Sequence, residues 1–235
     1  MIHKFLGETI SFELIYKKRT TIGIYIDFYG NVEVQAPKGT SEESVLQLLE
    51  GKWDLIQQRT KEMKDRTVGH MEKVYDHGES FLYLGNTYPI LISQDTDIKK
   101  DHVVLEENKL HVYVKQQEDE RIKQALKRFY YRQCKALVEK RVQFYQSNFR
   151  VKPRSIRISD SKSNWGTCDS MRQLTFNWRL AMAPLKVIDY VVVHEMCHMV
   201  HMNHDRSFWR LVGKIIPDYE QRENWLALSN WKMVV

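Results

Sequence analysis

The segment His194-Glu195-Met196-Cys197-His198 constrains this chain more than any other stretch. Side chains at i and i+4 stack on one helical face, so two imidazoles at this spacing reach a single metal ion when the segment is an α-helix. The residues before it suit that reading. Val187 to Val193 is apolar apart from Asp189 and Tyr190, the composition of a buried helix. Glu195, one residue past the first histidine, is placed to reach a water on the metal rather than the metal itself. This is the minimum machinery for zinc-assisted peptide hydrolysis. The bland alternative is a helix with two hydrogen-bonded core histidines and an exposed glutamate.

The third ligand is less constrained. His204 lies ten residues beyond His194, which requires the helix to end and the chain to turn back; Asn203 is a reasonable left-handed stop for such a helix. His201 lies about a turn past His198 and inside the helix would strain a tetrahedral site. His204 is therefore the expected ligand, with Glu220, Glu223, Asp205 and His201 as alternatives. Cys134, Cys168 and Cys197 are scattered and supply no closed structural zinc set, so the fourth position is read as open to water. A structural or vestigial site would have no need of Glu195 as a general base.

Three cysteines without paired spacing argue against a disulfide framework and for a reduced, cytoplasmic setting. No apolar run reaches the roughly 18 residues of a membrane span, and the first residues lack a secretory h-region. Charge is unevenly placed. Twelve Lys and Arg lie between Arg121 and Arg157 against the single acid Glu139. With Phe129, Tyr130, Tyr131, Phe144, Tyr145 and Phe149 interleaved, this stretch is a candidate nucleic-acid surface. The favoured reading is the blander one, an amphipathic helix with aromatics inward and cations in water.

Strand-like alternation marks Thr9–Tyr16, Thr21–Phe28 and Asn31–Ala36, then a helix opens at Ser41 and runs to about Arg66. Hairpins follow over Phe81–Leu84 with Tyr88–Ser93, and over Val103–Leu105 with Leu110–Val114. Helical periodicity returns from Glu118 to about Asn148. Ser155–Ser159 and Leu174–Leu180 read as strands, followed by helices from Leu185, over Arg206–Ile216 and over Glu220–Asn230. No internal repeat is evident. The fold class is α+β, with a β-rich region with helices over residues 1–117. The basic helix and the H-E-x-x-H unit occupy 118–235.

Four segments in order carry a resemblance: Asn164-Trp165-Gly166-Thr167-Cys168; Leu174-Thr175-Phe176-Asn177-Trp178-Arg179-Leu180; Tyr190 to His198; and Asn203-His204-Asp205-Arg206-Ser207-Phe208-Trp209. Together they resemble the YgjP-like predicted metallopeptidases, zincins related to the SprT-like and WLM groups. Similarity extends upstream through Ala36-Pro37-Lys38-Gly39-Thr40 and Phe81-Leu82-Tyr83-Leu84-Gly85, and so covers nearly the whole chain. The resemblance implies a zincin-like catalytic unit that cuts peptide or protein substrates. It also implies one zinc per chain on His194, His198 and His204, with Glu195 as general base. The family usually has R-W-G-S-C where Asn164 to Cys168 stand, and a serine where Asp205 stands. The first departure removes a cation; the second is conservative as a helix cap.

Trp165, Gly166 and Thr167 are candidate substrate-binding residues, because zincins bind an extended peptide along an edge strand and Gly166 permits close approach. A buried turn with Trp165 in the core is the alternative. Asn177 is a further substrate-side candidate, and with Tyr190 a candidate oxyanion partner, although hydrogen bonding within the fold accounts for either. Phe208 and Trp209 are expected to pack the last helices against the metal helix. Cys168 and Cys197 read as inert small hydrophobes. A protease acting on DNA-bound proteins through the 121–157 surface is the competing functional reading.

Overall fold

A computed structural model describes every residue outside 28–29, 68–73, 163 and 230–231, and the side chains of all of these except 64–67. Phe28 and Asn230, named in the sequence reading, lie outside the described residues. The chain is α+β and divides into two compact units, Met1–Met71 and Glu72–Val235.

In the first unit β1 (Ile2–Phe5), β2 (Glu8–Lys17), β3 (Gly23–Ile26) and β4 (Val32–Pro37) form a sheet of order β1-β2-β4-β3. Alternation along β4 sends Val32, Val34 and Ala36 to one face, with Ile10 and Phe12 of β2 beside them. Two helices supply the rest of that core: α1 (Glu42–Glu50) with Val45 and Leu49, and α2 (Trp53–Thr67) with Trp53 and Ile56. Ser41 caps α1 by accepting from the Ser44 amide at 3.3 Å. The single helix expected from Ser41 to Arg66 is in fact two, broken at Gly51 and Lys52, where glycine removes the Cβ contacts that favour continuation.

The second unit opens with β5 (Ser80–Tyr83), β6 (Asn86–Gln94), β7 (His102–Glu106) and β8 (Lys109–Val114), in the order β5-β6-β8-β7. The long helix α3 (Asp119–Tyr145) follows, then β9 (Ser155–Ser159), β10 (Gly166–Cys168) and β11 (Gln173–Asn177) in a small sheet of order β10-β11-β9. The helices α4 (Leu185–His198), α5 (Arg206–Ile215) and α6 (Tyr219–Ser229) complete it. The strand expected over Leu174–Leu180 stops at Asn177. There the Asn177 side chain accepts from the Arg179 amide at 3.1 Å and turns Trp178–Met182 into a 3-10 segment.

The boundary expected between 117 and 118 gives way to one at Met71/Glu72. The reason is a shared core. Phe81, Ile90, Val103, Leu110, Val112 and Val114 of the 80–114 sheet pack in one cluster with Ile122, Leu126 and Phe129 of α3 and with the apolar face of α4. The β5–β6 turn also docks directly on the entry to α4. Leu84 and Gly85 amides donate to the Ala181 and Met182 carbonyls, each at 2.9 Å. A Cβ on Gly85 would fall 2.7 Å from the Pro184 ring.

The two units also repeat one another, which the sequence reading missed. Every β1–β2 pair recurs 78 residues later: Ile2↔Ser11 becomes Ser80↔Pro89, and Phe5↔Glu8 becomes Tyr83↔Asn86. The parallel pairing keeps the same offset, Phe12↔Val32 becoming Ile90↔Leu110 and Leu14↔Val34 becoming Ile92↔Val112. The third strand shifts by one more residue, Ile24↔Val34 answering to Val103↔Val112. Buried Val45, Leu49 and Trp53 have buried counterparts in Ile122, Leu126 and Tyr130. The first hairpins turn alike, through Leu6 (φ 50) and Gly7 (φ 84) in one unit and Leu84 (φ 49) and Gly85 (φ 81) in the other. Few identities survive between the two copies, so sequence alone does not show the repeat.

Candidate metal centre

Helix α4 is buried nearly all round, and Val187, Ile188, Val191, Val192, Val193 and Met196 fix it in the core. That packing sets the azimuth of His194 and His198, one turn apart on the same face. The helix closes at Met199, and the chain loops back to His204 before Asp205 starts α5 by accepting from the Ser207 and Phe208 amides, each at 2.9 Å. The loop brings His204 Nε2 to 2.9 Å from His194 Nε2 and 3.1 Å from His198 Nε2. Among the described residues, these three side chains form the one group of His, Cys, Asp or Glu placed to share an ion.

The surroundings favour neutral imidazoles with free lone pairs. Burial, then the neighbouring His198 and His204, push His194 down to about 3. Burial also lowers His198, against the pull of the His201 carbonyl. That carbonyl lies 3.0 Å from His198 Nδ1 and accepts a hydrogen bond from its N–H, which leaves Nε2 of His198 as the unprotonated nitrogen facing the triad. Phe208 fills the space behind all three rings, with centroid distances of 4.9, 4.5 and 4.7 Å to His194, His198 and His204. Trp209 stacks on both His204 and Tyr219.

The competing third-ligand positions are engaged elsewhere. His201 contributes its carbonyl rather than its ring to the site, and Asp205 is the α5 cap. Glu220 accepts from the Tyr219 hydroxyl at 3.2 Å, and Glu223 is the hydrogen-bond partner of the Tyr190 phenol. Burial and that carboxylate raise the Tyr190 phenol well above its ordinary range.

Glu195 is only 5% exposed, and burial pushes its carboxyl up to about 8. Strand β10 runs directly against it: a Cβ at Gly166 would fall 2.6 Å from Glu195 Oε1. Trp165 is half-buried against the core and Thr167 is exposed. Cys168 and Cys197 are held protonated, at about 11 and about 12, by burial and then by the Glu195 charge.

Asn177, expected on the substrate side, is fully buried and spent on the fold. Its amide nitrogen donates to the Ser161 and Asn164 carbonyls at 2.8 and 3.1 Å, and its oxygen accepts from the Arg179 amide. It braces the loop that leads into β10 and faces no open space.

Part of the basic helix is likewise occupied. Arg141 grips Asp189 of α4 with Nε on one carboxylate oxygen and Nη2 on the other, the second at 3.0 Å. Arg121 pairs with Asp101 and Lys127 with Asp160, while Arg128 and Arg132 donate to the Asp101 and Val103 carbonyls. Phe129 and Tyr130 are core residues. These five cations tie α3 to its neighbours, while Lys123, Lys135 and Lys140 stay exposed on the same helix. Sequence reading missed the Arg141–Asp189 pair; its signal was an aspartate inside an otherwise apolar helix.

A family model described as YgjP-like, metallopeptidase domain, matches residues 20–229. The chain belongs to that family. This YgjP-like protein is thus a metallopeptidase, a hydrolase whose substrates are peptides or proteins. It is also similar to a solved structure, the metallopeptidase zymogen of Pyrococcus abyssi abylysin, at 20% identity over 37% of this chain and 89% of that one, with a TM-score of 0.35. No curated protein matches the chain. Among the described residues, no helix is long and apolar enough to cross a membrane.

Proposed function

We propose that this metallopeptidase is a zinc enzyme, with one ion on His194, His198 and His204 and with Glu195 as general base. The convergence of three Nε2 atoms, with the buried Glu195 carboxylate one residue from the first ligand, carries the reading. The donor set fits the ion. Zinc–nitrogen bonds of about 2.0–2.1 Å in a tetrahedron place ligand atoms roughly 3.3 Å apart, close to the separations of 2.9 and 3.1 Å here. Neutral imidazoles are the form that binds.

Zinc supplies Lewis acidity, acidifying water and polarising a scissile carbonyl. The chain's own residues do the rest. The buried Glu195 carboxylate, one residue from the first ligand, takes the proton of the attacking water as the new C–O bond forms. It then delivers that proton to the amine nitrogen as the C–N bond breaks.

Substrate lies extended along β10. Bonds from the Asn177 amide to the Trp165 carbonyl, and from the Asp169 amide to the Gln173 carbonyl, fix which backbone groups of β10 face β11. By alternation, those of Gly166 and Cys168 face the open edge and are free to pair with an added strand. Trp165 and Thr167 flank this edge. Three free thiols suit a reducing, cytoplasmic setting. Metal analysis joined to a peptide-library cleavage assay, on wild type and Glu195→Gln, tests the reading. A protein without zinc, or cleavage indifferent to Glu195, would overturn it.

A further inference from the structure

The small sheet of the second unit has two edges. Strand β10 forms one, beside Glu195, and β9 forms the other, because the strand order is β10-β11-β9. Among the described residues, the backbone of Ser155–Ser159 pairs with β11 alone, so its outer row of N–H and C=O groups is unpaired. Along that strand lies a groove of about 850 Å³. Its far wall is one stripe of α3: Gln124, Lys127, Arg128, Tyr131, Arg132 and Lys135. Its near wall is Ile156, Arg157 and Ile158. Successive strand side chains point to opposite faces, so a cavity that touches three in a row follows the edge of β9. The helical rise puts Gln124 and Lys135 about 16 Å apart. The five residues of β9 span about the same distance, which is the length of a short added strand.

The walls carry five cations and no acid. Three of them are engaged: Lys127 pairs with Asp160, and Arg128 and Arg132 each give one nitrogen to a backbone carbonyl. The other two are free to meet a ligand. Arg157 is exposed and, among the described residues, has no hydrogen-bond or ion-pair partner. Lys135 reaches only Glu139, at 3.9 Å, with both side chains largely in water. Residues opposite one another on neighbouring strands share a face. A strand added to β9 therefore sets apolar side chains beside Ile156 and Ile158 and an acid beside Arg157. A second copy of the chain does not fit that pattern, since β9 against β9 opposes like charges. Nucleic acid fits it poorly: a sugar–phosphate backbone has no row of donors and acceptors to match a strand edge. The one aromatic wall residue, Tyr131, is already stacked on Trp178 at 5.9 Å.

We propose that the β9 edge takes an extended acidic segment of a partner protein as an added strand, its acids alternating with β-branched apolar residues. The proposal stands apart from the zinc and general-base reading, and its test involves no cleavage. The probe is a short fluorescein-labelled peptide alternating glutamate with valine. It is titrated by anisotropy into the full chain carrying Glu195→Gln, so that turnover does not consume it. Saturable binding is expected, weakened roughly tenfold or more by Arg157→Glu joined to Lys135→Glu, whose side chains lie in solvent. Methylating one alternate set of peptide nitrogens removes the donors to β9 and should abolish binding, while methylating the other set should not. That pair of peptides needs no variant, and so decides the matter even if the double substitution unfolds the chain. Absent binding, or both methylated peptides binding alike, overturns the proposal. Binding unchanged in a folded double variant also overturns it, placing the peptide elsewhere, the β10 edge included. A labelled single-stranded oligonucleotide that binds more tightly than the peptide, and is lost in the same variant, would overturn it as well by making the groove a nucleic-acid surface.

Discussion

Gly166 and Glu195 are in backbone-to-carboxylate contact: a methyl group on Gly166 would fall 2.6 Å from Oε1, where no real Cβ sits. Gly166→Ala must therefore displace either β10 or the carboxylate. The three histidines are untouched, so zinc content should stay at wild type. A misplacement of about 1 Å costs on the order of a hundredfold in rate, and kcat/KM on a cleaved peptide should fall by about that much. Wild-type activity in Gly166→Ala would show that the contact relaxes without consequence.

Glu195→Gln keeps the size and hydrogen-bonding capacity of the side chain but cannot take a proton. It should fold, keep its metal and lose activity by roughly a hundredfold or more. The decisive comparison is single-turnover cleavage at equal zinc occupancy.

His204→Ala should weaken zinc binding by orders of magnitude, as loss of one of three ligands does. His201→Ala should change it little, because the site uses the His201 carbonyl and not its ring. Competition with a zinc chelator ranks the two variants, and equal affinities would refute the assignment.

Arg141→Leu should destabilise the protein by about 3 kcal/mol, since it strands the Asp189 carboxylate, 7% exposed, against α3. Pairing it with Asp189→Leu should recover much of the loss. Urea unfolding of the two single variants and the double variant measures the coupling.

Burial opposes ionisation of Asp160, yet Lys127, the Trp178 indole and Arg179 hold its carboxyl down at about 2. A depressed carboxyl stabilises the fold above its unfolded value of about 3.9, and that contribution is lost as pH falls toward 2. With the side chain 36% exposed, screening cuts the effect to roughly 1 kcal/mol. Asp160→Asn should lower the urea midpoint at pH 7 and match wild type near pH 2. A gap that persists at low pH would assign the effect to packing.

The parts of the site that depend on local periodicity were legible in the sequence. His194, Glu195 and His198 needed only a helix, and the Asp205 cap of α5 needed only cap chemistry; the left-handed stop expected at Asn203 is not there, since α4 already ends at His198 on a right-handed Met199. What stayed hidden depends on distant partners. Asn177 looked available because nothing local reveals the loop it braces from 161 to 164. The α3 cations looked free because Asp101, Asp160 and Asp189 are far along the chain. The expected boundary near 117 failed for the same reason: a sheet and the helix after it are separable in sequence, and only their shared core joins them. Strand β10, three residues long, is too short to carry an alternation signal.

Two sheets with one pairing frame make the chain a competitor of itself while it folds, since strands from either unit can seek the other's partners. The hairpins differ by one residue: Ile24↔Val34 in the first sheet answers to Val103↔Val112 in the second, 79 residues on for one strand and 78 for the other. The shift lies in the numbering and not in the pairing: Val103 sits opposite Val112 as Ile24 sits opposite Val34, so a strand exchanged between units would present the same face to its neighbour. One residue gained before the third strand is lost again after it, and so each sheet is kept to its own strands by the short connections that tether them and not by a mismatch of register.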